Sequence, residues 1–248
     1  REPIELAADI ARLLGARIDA FLARDRDAER FFDYPFAREF QPLLQSWRRL
    51  GPAISRHDLD DFSRRIERMV ETACAANGVY VGFPSRQQEH DAQDFEPPEG
   101  DIFAVIEPES YGELALGRAP SALERALRSA ATTLIVPRAW TRRSGPIAAI
   151  LGEDEARGLA LAARLAAATG ADLVIARVGR ISDVHSVSAA AGLPSSRIRL
   201  LPPAGHGAAP LQALRDIQER VLVVSKDAAR ISPLEIVAAR RTPLFVVK

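Results

Sequence analysis

Two short clusters hold the side chains best placed for chemistry, Gly152-Glu153-Asp154 and Ser225-Lys226. Each lies at the end of an apolar run, Pro146–Leu151 and Arg220–Ser225 respectively, where an open α/β sheet offers its ligand crevice. Together they would line one such crevice with two carboxylates, a hydroxyl and an ammonium group. A plainer account is favoured: Asp154 caps the helix that follows it, and Lys226 lies in solvent.

The remaining reactive residue types form no recognisable set. His57, His90, His185 and His206 are spaced for neither a metal site nor a catalytic pair on one element. His206 is flanked by glycines in Ala204-Gly205-His206-Gly207, which a surface turn explains equally well. Ser110 and Ser182 lack a G-x-S-x-G elbow, and neither G-x-x-x-x-G-K-[ST] nor G-x-G-x-x-G occurs. Cys74, the single cysteine, has no partner for an internal disulfide and falls inside a helical pattern as a small core residue. No residue is assigned a catalytic or metal-ligating role.

Composition limits the partners. The 248 residues carry 33 basic and 33 acidic side chains, and 47% of them are hydrophobic, which is enough to bury a core. Zero net charge gives no reason to expect nucleic acid. The basic run Arg138–Arg143 reads as a charged linker. No apolar run reaches the roughly 18–20 residues of a membrane span, and no signal-peptide pattern opens the chain, so a cytoplasmic location is expected.

The elements that must position these residues repeat. Glu2 to Arg24 (EPIELAADIARLLGARIDAFLAR) matches Arg157 to Val178 (RGLALAARLAAATGADLVIARV) when Gly15 is set on Gly170. Each reads as an amphipathic helix, a glycine at C′ and an apolar strand. Ser121 to Arg138 likewise matches Ser232 to Lys248, each with Ser at the N-cap, a short helix and a closing strand. A tandem duplication is therefore expected, with one copy over residues 1–140 and the other over 145–248.

In the second copy, strands are expected at Pro146–Leu151, Ala171–Val178, Arg197–Leu201, Arg220–Ser225 and Pro243–Val247. Helices are expected between them at Asp154–Ala168, Ser182–Ala191, Pro210–Glu219 and Ser232–Arg240. That alternation predicts an α/β fold, an open parallel sheet with helices on both faces. The first copy offers a helix at Pro3–Leu14, a strand at Arg17–Ala23, an aromatic-rich insertion over 24–57 and a helix at Asp58–Ala76. Strands at Val79–Phe83 and Asp101–Ile106 follow, on either side of a polar loop. Nothing in it corresponds to Pro146–Leu151, so the first copy is expected to lack its first strand, with a preceding segment missing.

This order of elements, with the signatures ELAADIARLLGARIDAF and ALAARLAAATGADLVIARV and the endings LIVPR and LFVVK, resembles the universal stress protein family. The resemblance implies two tandem modules of the adenine nucleotide alpha hydrolase-like fold, paired as a homodimer or as a pseudo-dimer within one chain, and a role in stress survival. Some members bind ATP through G-x2-G-x9-G-[ST] after the fourth strand and an acidic residue after the first. Gly152-Glu153-Asp154 occupies the acidic position. The glycines do not follow: Ser225-Lys226-Asp227-Ala228-Ala229-Arg230-Ile231-Ser232 contains none. Without them Cβ atoms stand between the backbone amides and a phosphate. In the first copy Glu107-Pro108-Glu109 would repel a triphosphate, and Gly112 and Gly117 are wrongly spaced.

The expected function is that of a binding or regulatory protein without catalytic activity and without a cofactor, acting on an unknown protein partner. Two alternatives stand beside it. One is adenine-nucleotide (ATP or AMP) binding with slow hydrolysis through Gly152–Asp154 and Ser225–Lys226. The other is a cytoplasmic regulatory portion of a larger transporter or sensor.

Overall fold

The computed structural model describes residues 2–20, 38–41, 46–49, 52–83, 102–106, 122–138, 144–152, 156–178, 184–203, 209–228 and 232–248. In chain order its elements are α1 (Glu2–Leu14), β1 (Ile18–Asp19), β2 (Arg38–Gln41), β3 (Ser46–Arg49), α2 (Pro52–Ala76), β4 (Val81–Gly82) and β5 (Ile102–Ile106). Then come α3 (Ala122–Ser129), β6 (Thr132–Val136), β7 (Ile147–Leu151), α4 (Ala156–Thr169), β8 (Leu173–Arg177) and α5 (Val184–Ala190). The chain closes with β9 (Ile198–Leu200), α6 (Ala209–Ala213), β10 (Val221–Ser225), α7 (Pro233–Arg240) and β11 (Leu244–Val247). They divide into two compact units, Arg17–Phe95 and Glu2–Ala16 with Glu96–Lys248.

The unit Arg17–Phe95 holds a parallel pair, β1 with β4, and an antiparallel pair, β2 with β3. Its described core is small: Ala73 and Cys74 of α2 and the adjoining Val79. The helix expected from Asp58 starts at Pro52, a residue whose missing N–H costs nothing in a first turn. The aromatic insertion accordingly contains β2, β3 and the start of α2, with Phe40 in register with Trp47. Phe31, Phe32, Tyr34 and Phe36 lie outside the described residues. The strand expected at Val79–Phe83 shrinks to β4. Within the strand expected at Arg17–Ala23 the structure places β1, and residues 21–23 lie outside the described residues.

The other unit is a seven-stranded sheet in the order β5-β6-β11-β10-β7-β8-β9. All neighbours run parallel except β6 and β11, which are antiparallel. β7 lies at the centre of the last five strands, as its wholly buried IAAIL run requires. Alternate residues of each strand feed two cores. One face carries Ile147, Ala149, Leu151, Ile175, Val223 and Phe245, under α1, α4 and α5. The other carries Ala148, Ile150, Val174, Leu222 and Val246, under α3, α6 and α7. Ala149 of the central strand shares this core with Ala162, Ala163 and Ala166 of α4. Each fully buried Leu, Ile or Phe in these layers contributes about 1.5–3 kcal/mol.

The two matched glycines do the same work. Gly15 (φ 63°) and Gly170 (φ 64°) adopt the left-handed conformation that ends α1 and α4. In both, the next residue's N–H reaches back to the helix, Ala16 to Ala11 O at 2.9 Å and Ala171 to Ala166 O at 3.0 Å. α1 is fastened to α4 by Arg164, which donates to Leu14 O at 3.1 Å.

Two details depart from expectation. The helix expected over Pro210–Glu219 ends at Ala213. Beyond it the N–H groups of Leu214, Arg215 and Ile217 turn to carbonyls three residues back, and Arg240 takes the carbonyls of Leu214 and Ile217. Ser232 stands at the N-cap of α7 but makes no side-chain capping bond, with Pro233 already supplying a favourable first turn.

Candidate ligand-binding site

Gly152 and Ser225 come to the same end of the sheet, because β7 and β10 are neighbours with Ile150 opposite Val224. Both are buried. Glu153 and Asp154 lie outside the described residues. Lys226 is exposed, and its N–H continues the ladder to Val247 O at 2.8 Å. Pleating sends consecutive side chains to opposite faces, so Ser225 follows Val221 and Val223 onto the α4 face while Lys226 departs from it.

Lys226 Nζ donates to Leu127 O of α3 at 3.3 Å. Lys248 Nζ donates to Arg128 O, and Lys248 N–H to Ala131 O at 3.0 Å. Two ammonium groups thus sit on the last carbonyls of α3, where the helix dipole favours cations. The structure therefore separates the proposed pair: Ser225 stays at the α4 face, and Lys226 closes a helix.

Burial lowers the pKa of Lys248, and the neighbouring Lys226 charge lowers it further. Between that lowered value and the ordinary one, the unfolded chain holds the proton more firmly, so stability rises with pH across the window. Lys226→Met should move the Lys248 pKa upward, removing the charge effect while burial remains. Titration of the Lys248 side-chain amine by NMR in both proteins checks this, and an unchanged midpoint would contradict it.

Sequence reading passed over Arg177, the last residue of β8. Its Nε is buried and has no hydrogen-bond partner, and the Oγ of Ser225 is in the same condition. The signal was a single cation closing the apolar run Leu173–Ala176. Among the histidines, His185 is exposed on α5, while His90 and His206 lie outside the described residues. Among the described residues no group of three or more His, Cys, Asp or Glu could hold a metal. Cys74 is buried, and burial raises its thiol pKa. No described helix is long and apolar enough to cross a membrane.

No protein-family model matches the chain, and no curated protein matches it. Among solved structures it is similar to a universal stress protein from Archaeoglobus fulgidus. The identity is 17%, over 77% of this chain and 79% of that one, with a TM-score of 0.45. The α/β assignment rests on the strand order and layers themselves and not on this likeness.

Proposed function

We propose that the chain is a non-catalytic binding or regulatory protein of the cytoplasm, made of two tandem universal-stress-like modules and serving a stress response. The observation that carries the reading is the antiparallel junction of β6 with β11. Leu134 pairs with Phe245 and Ile135 with Leu244, an exchange expected of a twofold axis between the matched pairs Leu134/Leu244 and Ile135/Phe245. β5 and β10 flank the junction in parallel on either side. The matched helices α1 and α4 share one face, and α3 and α7 share the other. These pairings support a reading of the chain as a dimer formed within itself, the closing strand edge of each half covering that of the other.

The catalytic alternative is weakened by two observations: no glycine follows β10 before Ser232, and Lys226 is engaged on α3. Calorimetric titration with ATP and AMP, combined with a hydrolysis assay and light scattering, tests the reading. A chain that does not turn ATP over, and that does not dimerise through β11, is the expected result. ATP bound at about one per chain and hydrolysed would replace this reading with the enzymatic one.

A further inference from the structure

We propose that the outer edge of β5 is a docking site for a β-strand of a partner polypeptide, an uncharged apolar segment that adds in parallel to the seven-stranded sheet. That sheet has two edges, β5 and β9, and they are built differently. β9 is three residues long, carries the exposed Arg199 at its middle and is followed by Pro202-Pro203. A short strand, an edge cation and nearby prolines are the usual guards against pairing with another chain. β5, Ile102-Phe103-Ala104-Val105-Ile106, is apolar throughout, with neither charge nor proline, and Ala104 and Ile106 are exposed. β6 is its one neighbour among the described strands. An unguarded edge of this kind is a template for a further strand.

The choice of occupant rests on the two-copy reading. The matches that set β6 on β11 also set β5 on β10, because each pairs in parallel with its closing strand: Ala104 faces Leu134 as Leu222 faces Leu244. β10 has a second parallel neighbour, β7, and is buried along its whole length. β5 has no such neighbour among the described strands, and each of its residues is at least partly exposed. The strand that fits its edge is therefore one of the β7 kind. Ile102 packs against one core of the sheet and Val105 against the other, so an added strand would meet apolar side chains on both faces. Such a position calls for a near-continuous apolar run, as in the IAAIL of β7. A charged or alternating segment would bury unpaired polar groups on one face.

A synthetic peptide with the sequence of residues 145–152, GPIAAILG, titrated into the full chain and followed by NMR at the Ala104, Ile106 and Arg199 amides, tests it. Saturable shifts are expected at the two β5 amides and none at Arg199. Ala148→Pro/Ala149→Pro in the peptide should weaken binding at least about tenfold: consecutive strand residues turn their N–H groups to opposite edges, so one of the two prolines must remove a ladder hydrogen bond. Ile106→Lys in the protein should weaken it too, by setting a cation where the added strand packs. Absence of saturable shifts, shifts at Arg199 in place of β5, or a diproline peptide that binds as its parent does would overturn the docking site. Light scattering of the peptide-free chain tests the other occupant: a dimer dispersed by Ile106→Lys would give the edge to a second copy and overturn the partner strand. If Ile106→Lys does not fold, the two peptides decide. Loss of the docking site would leave ATP turnover and the β6–β11 junction untouched, so its failure is distinct from that of the proposed function.

Discussion

Arg240→Ala is expected to destabilise the seven-stranded unit by about 3–5 kcal/mol, the usual cost of leaving one buried charge without its partner. Glu219 is fully buried, and Arg240 meets it with two nitrogens, Nε at 2.9 Å from Oε1 and a terminal nitrogen on Oε2. The same guanidinium accepts no proton but donates to Leu214 O at 3.1 Å and Ile217 O at 2.6 Å. Alanine would therefore strand a carboxylate and two carbonyls at once. Urea unfolding at neutral pH measures the loss. A loss below about 1 kcal/mol at neutral pH, the size typical of an exposed pair, would refute the assignment.

Gly145→Ala should cost about 3 kcal/mol, at the upper end of what overpacking produces. A Cβ built on Gly145 would stand 1.7 Å from Gln218 O and 2.9 Å from the carbonyl carbon. Both are main-chain atoms just ahead of β10, so no side-chain rotation relieves the clash. The contact lies beside the bond from Arg220 N–H to Pro146 O at 2.8 Å and the register of Val221 with Ile147, which are the first ties between the two central strands. Gly170→Ala is the contrast: its Cβ would meet nothing within 4 Å, leaving only the left-handed φ, worth about 1–2 kcal/mol. Comparable losses in the two variants, read from thermal melts, would contradict the steric argument.

Both effects arise at the end of the sheet where β7 and β10 begin, away from the candidate ligand end. Neither was visible in the sequence. Glu219 and Arg240 are 21 positions apart with ordinary spacing, and nothing in either local stretch marks one as the other's partner. Gly145 reads as a linker glycine before Pro146, and only the neighbouring chain reveals why a side chain does not fit.

What the sequence determined by itself was periodicity and punctuation. IAAIL, VLVVS and LFVV announce strands buried on both faces, and the helix-glycine-strand phrase ending at Gly15 and Gly170 announces its own termini. These are local effects, set by side-chain alternation and by backbone strain, and they place most elements of the seven-stranded sheet to within a few residues. The tertiary structure decided which strands meet. β6 and β11 join antiparallel, a pairing that depends on two edges finding each other across more than a hundred residues of chain. It also decided which face each side chain serves. Ser225 and Lys226, adjacent in sequence, part company because a pleated strand sends neighbours to opposite sides. Arg177, a residue with no motif around it, comes to the same end of the sheet as Ser225 because parallel pairing aligns the ends of strands that the sequence keeps far apart.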